Sequence, residues 1–356
     1  MELHNVESVI PLEGEGIRLC RVPEPVRRAL HSDARDAGVY HTCGCEIRFV
    51  LEGEMARIKL RQGKGNLHDE AGLASDQMPG EAQDREPGCV SEQTWSQVEV
   101  YFGAFQGAAP WVTVHLCEGE VEVIVRPPGH LEMLQRLAAT GSLAFDPAVV
   151  RILLPHRGMW EIISVEGELH PPEPGQLPRQ RWLAYGSSAA HGSGYPRPTG
   201  TYPMRTAQRL GMDLLHLGFT GSAHMEDAMA LYIASRSDWH MASVELGSGV
   251  LEAWEEDRLE RQVNRFLTLL TIGLRDRRLI CTDLFQCRYD LQGEGKAARL
   301  RCMVRSAVES LGHPGVVYVP GTELLGDPSL LSADLLLPSA YGHEVISARL
   351  CEIALR

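Results

Sequence analysis

No apolar run in this 356-residue chain reaches the roughly 18 residues that a membrane-spanning helix needs. The opening stretch, MELHNVESVIPLEGEG, lacks the basic flank and apolar centre of a secretory signal. Positive charge is in deficit: 34 Lys and Arg stand against 47 Asp and Glu, and no basic run stands out. The formal net charge of −13 opposes a general affinity for nucleic-acid phosphates or anionic membranes. The nine cysteines follow no repeated spacing, and an odd, scattered set points to reduced thiols. Cys43-Gly44-Cys45, with His41 nearby, lacks a second pair of ligands at metal-site spacing. The expectation is a cytoplasmic protein with no metal or resident cofactor and no nucleic-acid or membrane partner.

What is present is ordinary globular composition, 44% hydrophobic and 23% charged, in a chain long enough for two or three domains. Residues 1–170 carry short segments of high β-propensity, among them CEIRFVLEG, EMARIKLRQG, VEVYFGAF and VEVIVRPP. Turn residues separate them, which predicts an all-β sandwich or barrel. Residues 63–94 are polar and aperiodic and predict a long surface loop. HPPEPGQLPRQ, with four prolines, predicts an extended linker over 171–180. From 181 to 356 the rhythm changes to strands alternating with amphipathic helices. That predicts an α/β domain, a parallel sheet with helices on both faces. In such sheets the site lies beyond the carboxyl ends of the strands, so the loops after Tyr185, Leu217, Leu246 and Val319 are where chemistry is expected.

The first of these loops holds Ser187 and Ser188 in LAYGSSAAHG. A hydroxyl there is either an exposed nucleophile or the cap of the next helix. The second, HLGFTGSAHMED, places Gly221 in a turn whose backbone N–H can face a developing oxyanion. Arg197 is a candidate for an anionic substrate group, against an ion pair at its turn. Glu245, at the end of a strand, is a candidate catalytic group, against a carboxylate paired with a nearby arginine.

Taken together, YGSSAAHGSGYPRPTGTYPMRTAQRLGMDLLHLGFTGSA resembles the first two sequence blocks of the SGNH, or GDSL, hydrolase superfamily. The Arg197-Pro198 pair and the ending VPGTELLGDPSLLSADLLLPSAYGHEVISARL resemble a branch of esterases and acyltransferases. Some members of that branch carry an N-terminal β-sandwich, and some act in natural-product assembly. The resemblance covers about residues 181–350 and implies an SGNH-like three-layer fold. It implies Ser188 as nucleophile, the backbone N–H groups of Ser188 and Gly221 in an oxyanion hole, and Asp334 as the carboxylate that orients a histidine. It implies small-molecule acyl donor and acceptor partners; inside a cell the donor is expected to be an acyl thioester.

Two positions depart from the pattern. Where the third block supplies an asparagine, this chain has Gly249, or Ser248 beside it. Where a histidine should follow Asp334, it has Leu337. Leucine takes no proton, and a serine without a base is a poor nucleophile near neutral pH. His224, His191 and His343 are the candidate replacements. The reading is therefore a seryl-ester acyltransferase or esterase. Its alternative is a diverted SGNH-fold protein that binds a small ligand or runs a different reaction.

Overall fold

The computed structural model describes residues 1–63, 95–108, 112–115, 119–195, 197–293 and 295–356. Residues 64–94 of the expected surface loop lie outside the described residues.

The N-terminal half forms two antiparallel sheets. One is ordered β1 (Glu2–His4), β4 (Glu46–Leu51), β10 (Val149–Leu153), β6 (Trp95–Phe102) and β7 (Phe105–Gln106). Here β12 (Leu169–His170) also pairs with β4, and β8 (Val112–His115) with β6. The other is ordered β2 (Ser8–Pro11), β3 (Ile17–Cys20), β11 (Trp160–Glu166), β5 (Ala56–Gln62) and β9 (Glu120–Val125). Period-2 alternation explains the burial: Ala56, Ile58 and Leu60 point inward from β5, while Arg57 is exposed. Ile47, Phe49 and Ile152 of the first sheet join Ile58, Leu60 and Trp160 of the second in one apolar cluster.

This half is not all-β. Helices Glu24–Ala29, Ser32–Asp36 and Leu131–Gly141 interrupt it. The last buries Ala138 and half-buries Leu131 and Leu134, a one-face helical spacing legible in LEMLQRLAATG. Val22, Leu30, Ala34 and Val39 pack into the apolar core of the C-terminal half.

Five parallel strands form the C-terminal sheet: β13 (Arg181–Gly186), β14 (Asp213–Gly218), β15 (Met241–Glu245), β16 (Arg278–Thr282) and β17 (Val316–Val319). Their order, β14-β13-β15-β16-β17, reverses at β13. Leu183, Tyr185, Leu215, Leu217 and Val244 face helices Asp227–Ser235, Glu256–Thr271 and Lys296–Leu311. Trp182, Ala184, Leu214 and Ile280 face Tyr202–Leu210 and Ala340–Ala354. The sheet therefore lies between two helical layers, as the alternating rhythm predicts. Glycine stops helix Tyr202–Leu210: Gly211 caps it at φ +64°. No described helix is long and apolar enough to cross a membrane.

The two halves are joined by buried polar groups. Arg48 of β4 forms a bidentate pair with Asp213 of β14, with N–O distances of 2.7 and 2.6 Å. Arg48 also binds Glu46 at 2.8 Å, and Glu46 accepts two bonds from Arg151, at 2.8 and 2.5 Å. Asn5 donates to the carbonyls of Cys43 and His216 and accepts from the His216 N–H.

Candidate active site

The strand-order reversal at β13 opens a crevice beyond the carboxyl ends of β13, β14 and β15. A cavity of about 260 Å³ occupies it. Ser187, Ser188, Gly221, Ser248 and Gly249 line one side, with Glu245 at the end of β15; Phe285, Leu336 and Leu337 form apolar wall.

Ser188 begins a four-residue helix directly after β13, and Ser187 occupies its N-cap position. No side chain caps that helix. The Ser188 hydroxyl instead accepts a hydrogen bond from Gly221 N–H at 3.1 Å. Two ties bring the loops together for this contact. Phe219 N–H donates to the Gly186 carbonyl at 2.9 Å, and the Ser193 and Thr220 hydroxyls meet at 2.9 Å. Gly221 sits at φ +60°, which a side chain would disfavour.

Gly249 packs against Ser187. A Cβ at 249 would stand 2.6 Å from Ser187 Oγ and 3.2 Å from Ser187 Cβ, so Ser187 holds the space an asparagine needs. Ser248 Oγ donates to Glu245 Oε1 and is spent there. Gly249→Asn should lose about 1–3 kcal/mol through overpacking. Adding Ser187→Gly should recover most of it, measured as the denaturant midpoints of the single and double variants.

The remaining predicted residues lie elsewhere. Asp334 is exposed, and its Oδ1 accepts from Ser332 Oγ at 2.5 Å and from Leu336 and Leu337 N–H at 2.8 and 2.9 Å. It closes its own turn and pairs with no histidine among the described residues. Arg197 binds Glu99 of β6 at 3.0 Å, an ion pair between the two halves. His191 is fully buried, edge-on to His41 and tilted against His156, and burial holds it well below its usual pKa. His224 packs on His31 and edge-on to Trp254. Burial, then His31, lowers its pKa. His343 accepts from Tyr202 N–H at 3.2 Å, and burial pushes it down to about 3. No histidine among the described residues lines the cavity.

Glu245 is the group the sequence left open between catalysis and an arginine partner. It is 3% exposed and forms no salt bridge among the described residues. Burial raises its carboxyl to about 7, against the hydrogen bonds from Ser248 and from the Ser187 and Ala190 backbone that favour the anion. Of the other ionisable groups on the cavity, Glu252 is exposed and lies 3.8 Å from Arg288, and burial raises the Tyr289 phenol to about 12. No described His, Cys, Asp and Glu cluster is arranged to hold a metal ion.

No family model matches the chain, and no curated protein matches it in sequence. Solved structures do. A salicylyl-acyltransferase, SsfX3, from a tetracycline biosynthetic pathway aligns at TM-score 0.75 and 18% identity, over 99% of this chain and 94% of that one. A putative GDSL-like lipase from Bacteroides ovatus aligns at TM-score 0.66 and 14% identity, over 98% and 93%. A family two carbohydrate esterase from Clostridium thermocellum aligns at TM-score 0.53 and 12% identity, over 99% and 98%. With the strand order and the Ser188–Gly221 geometry, these likenesses establish that the chain has an SGNH-like hydrolase fold.

Proposed function

We propose that the chain transfers an acyl group through a seryl ester on Ser188, from a small-molecule donor to a small acceptor. Water as acceptor makes the same chemistry ester hydrolysis. One observation carries this reading: the Ser188 hydroxyl is not spent on a helix cap but meets the Gly221 N–H at 3.1 Å inside a cavity at the strand-order reversal. An acyl carbon bonded to Ser188 Oγ would have its oxygen beside the Gly221 and Ser188 N–H groups, the donors that stabilise a tetrahedral intermediate. The acyltransferase and esterases that share the fold support this class of reaction. We read the donor as an acyl thioester, the compartment as cytoplasmic and the context as natural-product metabolism. We also read the two N-terminal sheets as a β-sandwich accessory domain over 1–170, followed by a linker at 171–180 and the catalytic domain at 181–356.

The test is intact-mass spectrometry after mixing the protein with an activated aryl ester, with and without an added alcohol or amine. A transient mass increase on Ser188 that the acceptor discharges into a new ester or amide supports transfer. Discharge indifferent to acceptor supports hydrolysis. A second reading, a ligand-binding protein that forms no seryl ester, is favoured by Leu337 in place of histidine on the cavity wall. Tight binding of a small ligand with no mass increase would select it.

A further inference from the structure

Resting on the assignment of Ser188 as nucleophile, the geometry points to the group that activates it. We propose that Glu245 accepts the Ser188 Oγ proton, directly or through one cavity water, so that a serine–glutamate pair drives the acyl transfer in place of serine–histidine. Glu245 and Ser188 line the same cavity. The strands bring them there: β13 and β15 are hydrogen-bonded neighbours, and Tyr185 pairs with Val244 immediately before Gly186 and Glu245. The carboxyl fills the bend between β13 and helix Ser188–His191. A Cβ on Gly186 would stand 2.9 Å from Glu245 Oε2 and 2.8 Å from Ala190 Cβ. The carboxyl faces the N–H groups of Ser187 and Ala190, which flank Ser188 in that bend, yet Oε2 is left without a well-formed hydrogen bond. A glutamine would accept from the same donors without the cost of an unpaired buried charge. What the carboxyl alone supplies is the capacity to exchange a proton, and a value near 7 suits that task at neutral pH.

The steps balance. The Oγ proton passes to the Glu245 carboxylate as Oγ bonds to the acyl carbon, and the donor's C–S or C–O bond breaks as its leaving atom takes that proton from Glu245. The acceptor's hydroxyl or amine then gives a proton to Glu245 and bonds to the acyl carbon. The C–Oγ bond breaks, and Oγ recovers its proton from Glu245.

The experiment measures the single-turnover rate of Ser188 acylation by p-nitrophenyl acetate across pH in wild type, Glu245→Gln, Glu245→Asp and Ser188→Ala. Wild type should accelerate with pH through one ionisation near 7, where the carboxyl deprotonates. Glu245→Gln should lose about 10²–10⁴-fold and the ionisation with it, while keeping the wild-type unfolding transition at acid pH. Because the folded carboxyl is raised, wild type loses stability as pH climbs toward 7, and Glu245→Gln should be the more stable above it. The stability shift reports only the raised carboxyl; a purely structural acceptor would show it too but would leave the pH profile of acylation unchanged. If Glu245→Gln fails to fold, the wild-type profile and the Asp variant decide: no ionisation in the wild-type rate between about pH 6 and 8 overturns the proposal. Full activity with an unchanged profile in Glu245→Gln, alongside inactive Ser188→Ala, overturns it while Ser188 stands. No Ser188 ester in wild type overturns both.

Discussion

Replacing Ser188 by alanine should abolish ester formation and cut turnover by at least about 10³-fold, with the fold intact. The size follows from what is removed. Without Oγ there is no covalent intermediate, and any residual reaction needs water to attack an acyl carbon directly, with the Gly221 N–H still available as donor. The fold should survive because Oγ supports no helix cap and its one partner among the described residues, the Gly221 N–H, lines the cavity and can turn to water. The stability cost is therefore that of one hydrogen bond, about 1 kcal/mol or less. Labelling by a fluorophosphonate, read as intact mass, checks the chemistry, and denaturant unfolding checks the fold. Wild type should take one label and the alanine variant none. Equal labelling of both would move the nucleophile elsewhere. Equal turnover with no labelling of either would remove the seryl ester from the mechanism.

Much of this site was legible in the sequence because it depends on local order. RWLAYG is β13 residue for residue, and YPMRTAQRL is the helix Gly211 stops. Short apolar runs and helical faces are one-dimensional signals, and a serine placed after the first strand inherits its position from the topology. Gly221 follows for the same reason. The missing base was not legible in this way. Ser188 and His191 are three apart, which on a regular helix shares a face, but Ser188 turns to Gly221 while His191 is buried against His41 and His156 from the N-terminal half. Asp334 matches its motif by spacing, yet its oxygen is consumed by its own turn. Arg197 depends on Glu99, nearly a hundred residues away, which no window on the sequence contains. Glu245 was ambiguous between catalysis and an arginine partner, and only the three-dimensional arrangement shows that no described arginine or lysine pairs with it. Helix Leu131–Gly141 is a different kind of omission. Its 131, 134, 138 spacing was readable but lay among strong β segments.

The largest stability effect should come from the buried charges between the halves. Arg48 and Arg151 face Glu46 and Asp213, two cations and two anions, all nearly inaccessible. Asp213→Asn keeps the shape but removes the carboxylate paired bidentately with Arg48, leaving the two arginines with Glu46 and the partly exposed Glu2, 3.7 Å from Arg48, so positive charge is in excess in the interior. Breaking one partner of a buried pair costs about 3–5 kcal/mol, more than the pair contributes, because the remaining ion is left desolvated. Arg48→Met should cost a similar amount with the opposite sign of excess charge. Arg48→Met with Asp213→Leu should cost less than the sum, since it removes one ion of each sign together. The pH dependence identifies the cause. Burial alone would raise the Glu46 carboxyl, but Arg151 and Arg48 pull it down to about 2; Arg48 and His4 likewise hold Asp213 below the usual carboxylate range. Both folded values lie under the unfolded ones, so their stabilisation is complete above the ordinary carboxylate range and drains away as pH falls from about 4.5 toward 2. Denaturant midpoints should therefore differ most between wild type and Asp213→Asn at neutral pH, and the gap should narrow progressively as pH falls below the ordinary aspartate range of about 4, without closing until the folded carboxylates themselves protonate. A gap that stayed constant with pH would mean that Asp213 acts through packing and not through charge.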